Sequence, residues 1–228
     1  MKLLVQVGSL AEAEGAAAAG VDAIIVQGVE AGGHVRGTSS IWELLPAVVA
    51  AVSPLAVLAS GGIGDGAGVA RAIRLGAQGV SLGTRFVATE ESAAHPEYKR
   101  RIVESVAKDT VYTENLYDIG WPGAPTRTLR NKTFAEWDAA GRPRPGERPG
   151  EGTSVGALRM PSGETFELPR YAGAGSPLVG FEGDLDYPAM WAGESVEVVR
   201  DVRPAGEIVR RLAEDALLAR AHSPASAL

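Results

Sequence analysis

Two ten-residue stretches, 56 residues apart, repeat one pattern. With Gly20 placed on Gly76, A-G-V-D-A-I-I-V-Q-G aligns without a gap on L-G-A-Q-G-V-S-L-G-T. Each reads as a helix end, a stop glycine, a short apolar strand and a polar or glycine-bearing exit. The offset equals two strand–helix units. A chain that repeats such units builds a parallel sheet, because parallel strands need a crossover and the usual crossover is a helix.

Four apolar runs carry this rhythm: residues 2–7, 21–26, 55–59 and 79–82. Ser9 and Glu12 have the spacing of a capping box and open a helix over residues 10–19, mostly alanine and glutamate. Ser40 and Glu43 repeat that spacing near the start of a helix over residues 38–52. There Pro46 fits best as the first residue of the main turn, since deeper inside it would remove a hydrogen bond. Asp65 caps a third helix over residues 66–75, closed by Gly76. The strand runs are apolar without alternation, which predicts strands covered on both faces.

Past Thr84 the rhythm stops. Residues 95–108 read as a charged helix with Pro96 near its start. Residues 109–132 hold Tyr112, Tyr117, Trp121, Pro122 and Pro125 and read as an irregular aromatic segment or short helices. Residues 141–152, with four glycines and three prolines, read as an exposed, mobile loop. Residues 158–168 resemble a hairpin turning at Pro161-Ser162-Gly163-Glu164. Pro204 opens a last helix whose apolar residues Ile208, Val209, Leu212, Ala216 and Leu217 recur at helical spacing. A tail that reads as frayed follows over residues 222–228. The expected division is residues 1–114, the parallel α/β unit; 115–195, an inserted lid or helical subdomain with the flexible loop 141–152; and 196–228, the closing helix and tail.

Charge narrows the partners. Twenty-eight acidic against 22 basic residues give a net charge of −6 with no basic block, which argues against nucleic acid and against an anionic membrane surface. The absence of cysteine excludes a disulfide framework and thiolate metal sites. No apolar run is long enough for a membrane span, and the first is too short for a signal peptide. A cytoplasmic protein is the expectation.

Chemistry gathers at the strand exits. After the second strand come Gln27, then a loop with Gly28, Gly32 and Gly33 that carries His34. An imidazole there can serve as general base or acid near neutral pH; a packed or solvated loop histidine without a role has the same sequence. No second histidine lies nearby and Glu30 alone makes no metal site, so no metal is expected. Ser60-Gly61-Gly62 lies between a strand and a helix whose N-terminus would point at an anion, and Gly83-Thr84 closes the next strand. Such residues let backbone N–H groups approach phosphate oxygens, and Thr84 adds a hydroxyl; glycine for tight turns is the plain alternative. Gln27 could offer its amide to a ligand's ring edge or bond the loop backbone. Arg36 and Arg85 could assist an anion or, more simply, are solvated charges, and His95 reads as a surface or capping residue. Trp121, Tyr187 and Trp191 either cover a pocket or, more simply, pack a small subdomain.

Three motifs, E-A-G-G-H at residues 30–34, S-G-G-I-G-D-G at 60–66 and S-L-G-T-R-F at 81–86, resemble in order and spacing those of the FMN-dependent nitronate monooxygenases. The resemblance runs over roughly residues 2–220. It implies a TIM barrel with an added helical subdomain, noncovalent FMN and no metal. By position, His34 is similar to the histidine beside the flavin that takes a proton from a nitroalkane's α-carbon. Gln27 and Gly32 correspond to flavin-site contacts, and Gly61, Gly62, Ser81, Leu82, Gly83 and Thr84 to the FMN phosphate cradle. The implied reaction is oxidation of an alkyl nitronate by O2 to a carbonyl compound and nitrite. The FMN-dependent enoyl-acyl-carrier-protein reductases of the same superfamily share A-G-G-H and G-G-I and use NAD(P)H; the long insertion after Asp118 fits the monooxygenases better.

Four strands match the second half of such a barrel. The expected fold class is therefore α/β: the C-terminal half, about four strand–helix units, of a TIM (β/α)8 barrel with a small added helix-and-loop subdomain. A whole barrel of about 250 residues would need roughly 100–125 more upstream. The chain is accordingly expected to be an N-terminally shortened piece. A non-catalytic half-barrel, and pairing of two half-barrels in a homodimer, are the other readings of the same count.

Overall fold

All four apolar runs become parallel strands in the computed structural model, which describes residues 1–221. The first elements are β1 (Leu4–Val7), α1 (Leu10–Ala18), β2 (Ala23–Gln27), the two-residue β3 (Gly33–His34), α2 (Ile41–Val52), β4 (Ala56–Ser60), α3 (Gly66–Arg74), β5 (Gly79–Ser81) and the single turn α4 (Thr84–Val87). β1, β2, β4 and β5 lie side by side in that order, with Leu4 opposite Ala23, Ala23 opposite Ala56 and Leu58 opposite Gly79. The sequence echo is structural. Gly20 and Gly76 each follow a helix in the left-handed region, φ +80° and +98°, where a side chain would be strained.

One face of this sheet carries the core. Val5, Val7, Ile24, Val26, Val57, Ala59 and Val80 pack with Leu45, Val48 and Ala72 of the helices. Each fully buried aliphatic chain of this kind stabilises the fold by about 1.5–3 kcal/mol. The other face differs from the two-sided burial predicted: Leu4 is 50% exposed, and Ile25 and Leu58 are half-buried. The reason is that α1, α2 and α3 all pack on the Val5–Val7 side. Among the described residues, β1 and β5 each have one sheet neighbour.

Pro46 lies inside α2, as its sixth residue, and not at its start. Its missing N–H costs one hydrogen bond. The helix begins earlier because two groups hold its N-terminus: the Ser40 hydroxyl accepts from Trp42 N–H, and the Glu30 carboxylate accepts from Ile41 N–H at 3.0 Å. Glu30, eleven residues before Ile41, thus helps cap this helix from outside it.

The remaining α-helices and strands are α5 (Pro96–Glu104), β6 (Thr110–Thr113), β7 (Thr126–Leu129), α6 (Lys132–Ala139), β8 (Ser154–Arg159), β9 (Thr165–Pro169), β10 (Phe181–Gly183) and α7 (Ala205–Ala221). His95 caps α5, its Nδ1 accepting from Glu97 N–H at 3.1 Å. The β8–β9 hairpin turns where predicted. The segment expected to be irregular holds β6 and β7, which pair antiparallel; β7 also pairs with β3. This hairpin joins residues on both sides of position 114. The loop at 141–152 is exposed over most of its length, yet Arg148 turns inward. Its side chain is 1% exposed, meets Asp118 at 2.7 Å, and donates to the Asn115 and Leu116 carbonyls and to Glu151. His222 and the rest of the tail lie outside the described residues. No helix among the described residues is long and apolar enough to cross a membrane.

Candidate active site

A cleft of ≈ 270 Å³ opens where β1, β2, β4 and β5 end at their C-terminal edges. Parallel α/β sheets place ligand sites at this edge, because the loops leaving the strands converge there. Gln27, Gly32, Gly61, Gly62, Ser81, Leu82, Gly83 and Thr84 all line it. His34 does not, but the adjoining Gly33 and Trp191 do.

Glycine is required at the floor. Gly61 and Gly62 adopt φ +102° and +68°, and a Cβ on Gly61 would lie 3.0 Å from Ala31 N. A Cβ on Gly32 would lie 2.3 Å from Gly193 N, so the β2 loop and the strand-free segment around Gly193 touch backbone to backbone. Gly83 is different, since a Cβ there would meet nothing within 4 Å. Among the described residues, no protein acceptor meets the backbone N–H groups of Gly61, Gly62, Gly83 and Thr84. The first turn of α4 leaves the last two free by its nature. The Thr84 hydroxyl accepts from Gly193 N–H at 2.9 Å and keeps its own proton to donate.

Two expectations change. The N-terminus of α3 does not face this cleft. Three residues separate Gly62 from Gly66, the Asp65 carboxylate accepts Gly68 N–H at 2.8 Å, and that helix end borders a different hollow shared with α7. Donors come from the Gly61-Gly62 turn itself. Arg85 is not a solvated charge either: it is buried, paired with Asp201 at 3.0 Å and bonded to the Ala88 carbonyl. Arg36 is solvated and pairs with Glu12.

Gln27 spends its amide on the loop that follows it. Its Nε2 donates to the His34 carbonyl at 3.1 Å and its Oε1 accepts from Arg36 N–H at 2.6 Å. Gln27 therefore fixes the backbone on which His34 sits. β3 is further held by β7, with His34 opposite Thr126 and Gly33 opposite Arg127. Arg127 is buried and donates to the Val29 carbonyl at 2.9 Å while pairing with Glu194 at 3.1 Å.

The imidazole of His34 contacts two indoles at a tilt, Trp121 at 4.3 Å and Trp191 at 5.6 Å between ring centroids. Its Nε2 is buried and has no hydrogen-bond partner. Burial holds its pKa below the ordinary 6.5, so near neutral pH the ring is uncharged and Nε2 can accept a proton. Thr126, directly across the strands, also has a buried hydroxyl without a partner. Of the aromatic residues, Trp191 lines the cleft and Trp121 covers His34, while Tyr187 packs against Arg170 and Glu136 elsewhere. Thr126, Gly193 and Ser195 were not legible as site residues. They arrive through antiparallel pairing and long connections that carry no local motif.

The nitronate monooxygenase of Paraburkholderia phytofirmans is 34% identical over 225 residues, 93% of this chain and 54% of that protein. The solved nitroalkane oxidase of Streptomyces ansochromogenes is 29% identical with a TM-score of 0.72, covering 97% of this chain and 59% of that one. The FabK structure from Thermotoga maritima gives a TM-score of 0.70 at 28% identity, covering 96% and 61%. The chain spans about half the length of the curated nitronate monooxygenases it matches. The model of the family described as nitronate monooxygenase matches residues 1–215, and on that match the chain belongs to the nitronate monooxygenase family.

Proposed function

We propose that the cleft holds FMN and that the protein oxidises alkyl nitronates and nitroalkanes with O2, yielding a carbonyl compound and nitrite. One observation carries this reading: free N–H groups of two glycine turns line one cleft, and a neutral, unpartnered imidazole stands beside it. The residues fit an anionic cofactor. Gly61 and Gly62 form a turn that side chains would fill, and with Gly83 and Thr84 they would hold the phosphate. Ser81, Leu82 and Gly32 line the same cleft and would flank the cofactor. Gln27 acts indirectly, through the loop it bonds. FMN, when bound, supplies the redox chemistry between nitronate and O2.

His34 does the proton work. Its Nε2 accepts the α-proton of a neutral nitroalkane, a step that a preformed nitronate does not need. Trp191 closes the side of the cleft next to His34 and excludes water there. Residues 115–195 act as the inserted lid that brings Trp121 and Trp191 to the site. The parallel unit is half of a barrel, a reading supported by the half-exposed Leu4, by the incompletely buried Ile25 and Leu58, and by the single sheet neighbour of β1 and of β5 among the described residues. Pairing of two such halves in a homodimer, and a cytoplasmic location, belong to the same proposal.

The likeness to FabK supports a second reading, an FMN-dependent enoyl-acyl-carrier-protein reductase using NAD(P)H. One assay separates them. Nitrite release from a nitroalkane without NAD(P)H is expected. NAD(P)H consumption with an enoyl thioester, and no nitrite, would favour the reductase.

A further inference from the structure

Trp121 is the residue whose place in the fold neither the family motifs nor the parallel sheet explains. It sits on a turn closed by its N–H to the Asp118 carbonyl at 3.0 Å, between Gly120 (φ +85°) and Gly123 (φ +70°). It is 56% exposed, an unfavourable state for an indole, yet its ring lies 4.3 Å from the His34 ring at a 31° tilt. The exposed face of Trp121 thus looks at solvent and the other covers the imidazole. We propose that Trp121 is a positioning residue for His34, whose indole shields Nε2 from water and keeps the ring in its neutral, proton-accepting form.

Geometry leaves the stacking rings as the means. The charged groups on the surrounding elements are all engaged elsewhere. Arg127 of β7 bonds Val29 and pairs with Glu194. Glu30, in the loop after β2, accepts from Ser40 and Ile41. Asp118, beside Trp121, is held by Arg148. Arg36, two residues on from His34, pairs with Glu12. None of them contributes to the shift of His34, whose one cause is loss of water. Trp191, half-buried, contacts the ring from farther away, at 5.6 Å between centroids. Removing Trp121 opens the nearer face. Water returns to Nε2, the charged form is stabilised, and the ring is protonated at a higher pH.

The proposal rests on reading His34 as the base, and the test separates the two. The imidazole Cε1–H resonance of His34, assigned by its loss in His34→Asn, is titrated by NMR in the wild-type chain, in Trp121→Ala and in Trp121→Phe. The midpoint is expected to move up toward 6.5 in Trp121→Ala and to stay near the wild-type position in Trp121→Phe, which keeps a ring over the imidazole. An unmoved midpoint in Trp121→Ala, or an equal shift in Trp121→Phe, overturns the proposal. Trp121 is more than half exposed, so its truncation leaves no buried cavity, and the Phe variant remains as a second measure. The acid limb of kcat/KM for a neutral nitroalkane is expected to move with the NMR midpoint. A shifted midpoint in a chain that releases no nitrite sinks the proposed function and leaves the role of Trp121 standing.

Discussion

The parallel unit and the antiparallel additions are built by different means. The first packs aliphatic residues between repeated strands and helices, and what it brings to the cleft is mainly backbone: the turns at Gly61-Gly62 and Gly83-Thr84. The second buries cations and rings. Arg127, Arg148 and Arg170 are each less than a tenth exposed there, and Tyr117, Trp137 and Tyr171 form its core. What it brings is side chains: Trp121, Trp191 and Thr126 around His34. On the proposed function, anion binding belongs to the repeating half and proton chemistry to the seam with the irregular half. The two meet backbone to backbone at Gly32 and Gly193.

The division can be broken at several points. Arg148→Met leaves Asp118 buried without its partner, and losing one member of such a pair costs about 3–5 kcal/mol. In urea, tryptophan fluorescence, which comes largely from the antiparallel region, is expected to change well before the far-UV helix signal. Coincident, unshifted transitions would show that the two regions are not energetically distinct. Gly32→Ala strikes the seam. Its Cβ falls 2.3 Å from Gly193 N, and overpacking of this kind costs about 1–3 kcal/mol. Here both signals are expected to shift together, and a variant as stable as wild type would mean the seam is loose.

His34→Asn should leave stability nearly alone and slow oxidation of a neutral nitroalkane by ~10²-fold or more, with a far smaller effect on a preformed nitronate. Equal losses for both substrates would remove His34 from proton transfer. The smallest effect is on pH. Because burial holds His34 below 6.5 in the folded chain, the unfolded chain binds more protons between the folded value and 6.5. Stability rises with pH through that window and is lost as pH falls below 6.5. Comparing urea midpoints of wild type and His34→Asn above and below 6.5 reads this; identical slopes would contradict it.

How much of this was legible follows the same division. Strand runs, stop glycines and caps are local, and they locate β1, β2, β4, β5 and the cleft-lining residues Gly61, Gly62, Gly83 and Thr84, while Ser81 and Leu82 come only with the family resemblance. Burial on both faces was misread because sequence shows that a strand is apolar, not what covers it; Leu4 and Leu58 carry the error. The sequence allows Gln27 two roles, because its bonds to His34 and Arg36 depend on how the loop folds back. Arg85 reads as a solvated charge, and the loop around Arg148 as wholly exposed, because their partners, Asp201 and Asp118, lie 116 and 30 residues away. β6 and β7 were missed since neither run alternates clearly and a thirteen-residue sequence step, from Thr113 to Thr126, separates them.

The central claim is that the glycine cradle holds FMN. The direct measurement is the visible flavin spectrum of the chain after equilibration with FMN and removal of the excess, for wild type and Gly62→Val. A Cβ on Gly62 would sit 2.9 Å from the Glu30 Cβ at φ +68°, so the variant deforms the cradle. The account predicts a yellow wild-type protein with a protein-bound flavin band and a variant that loses it. A folded wild-type chain that stays colourless would contradict the account.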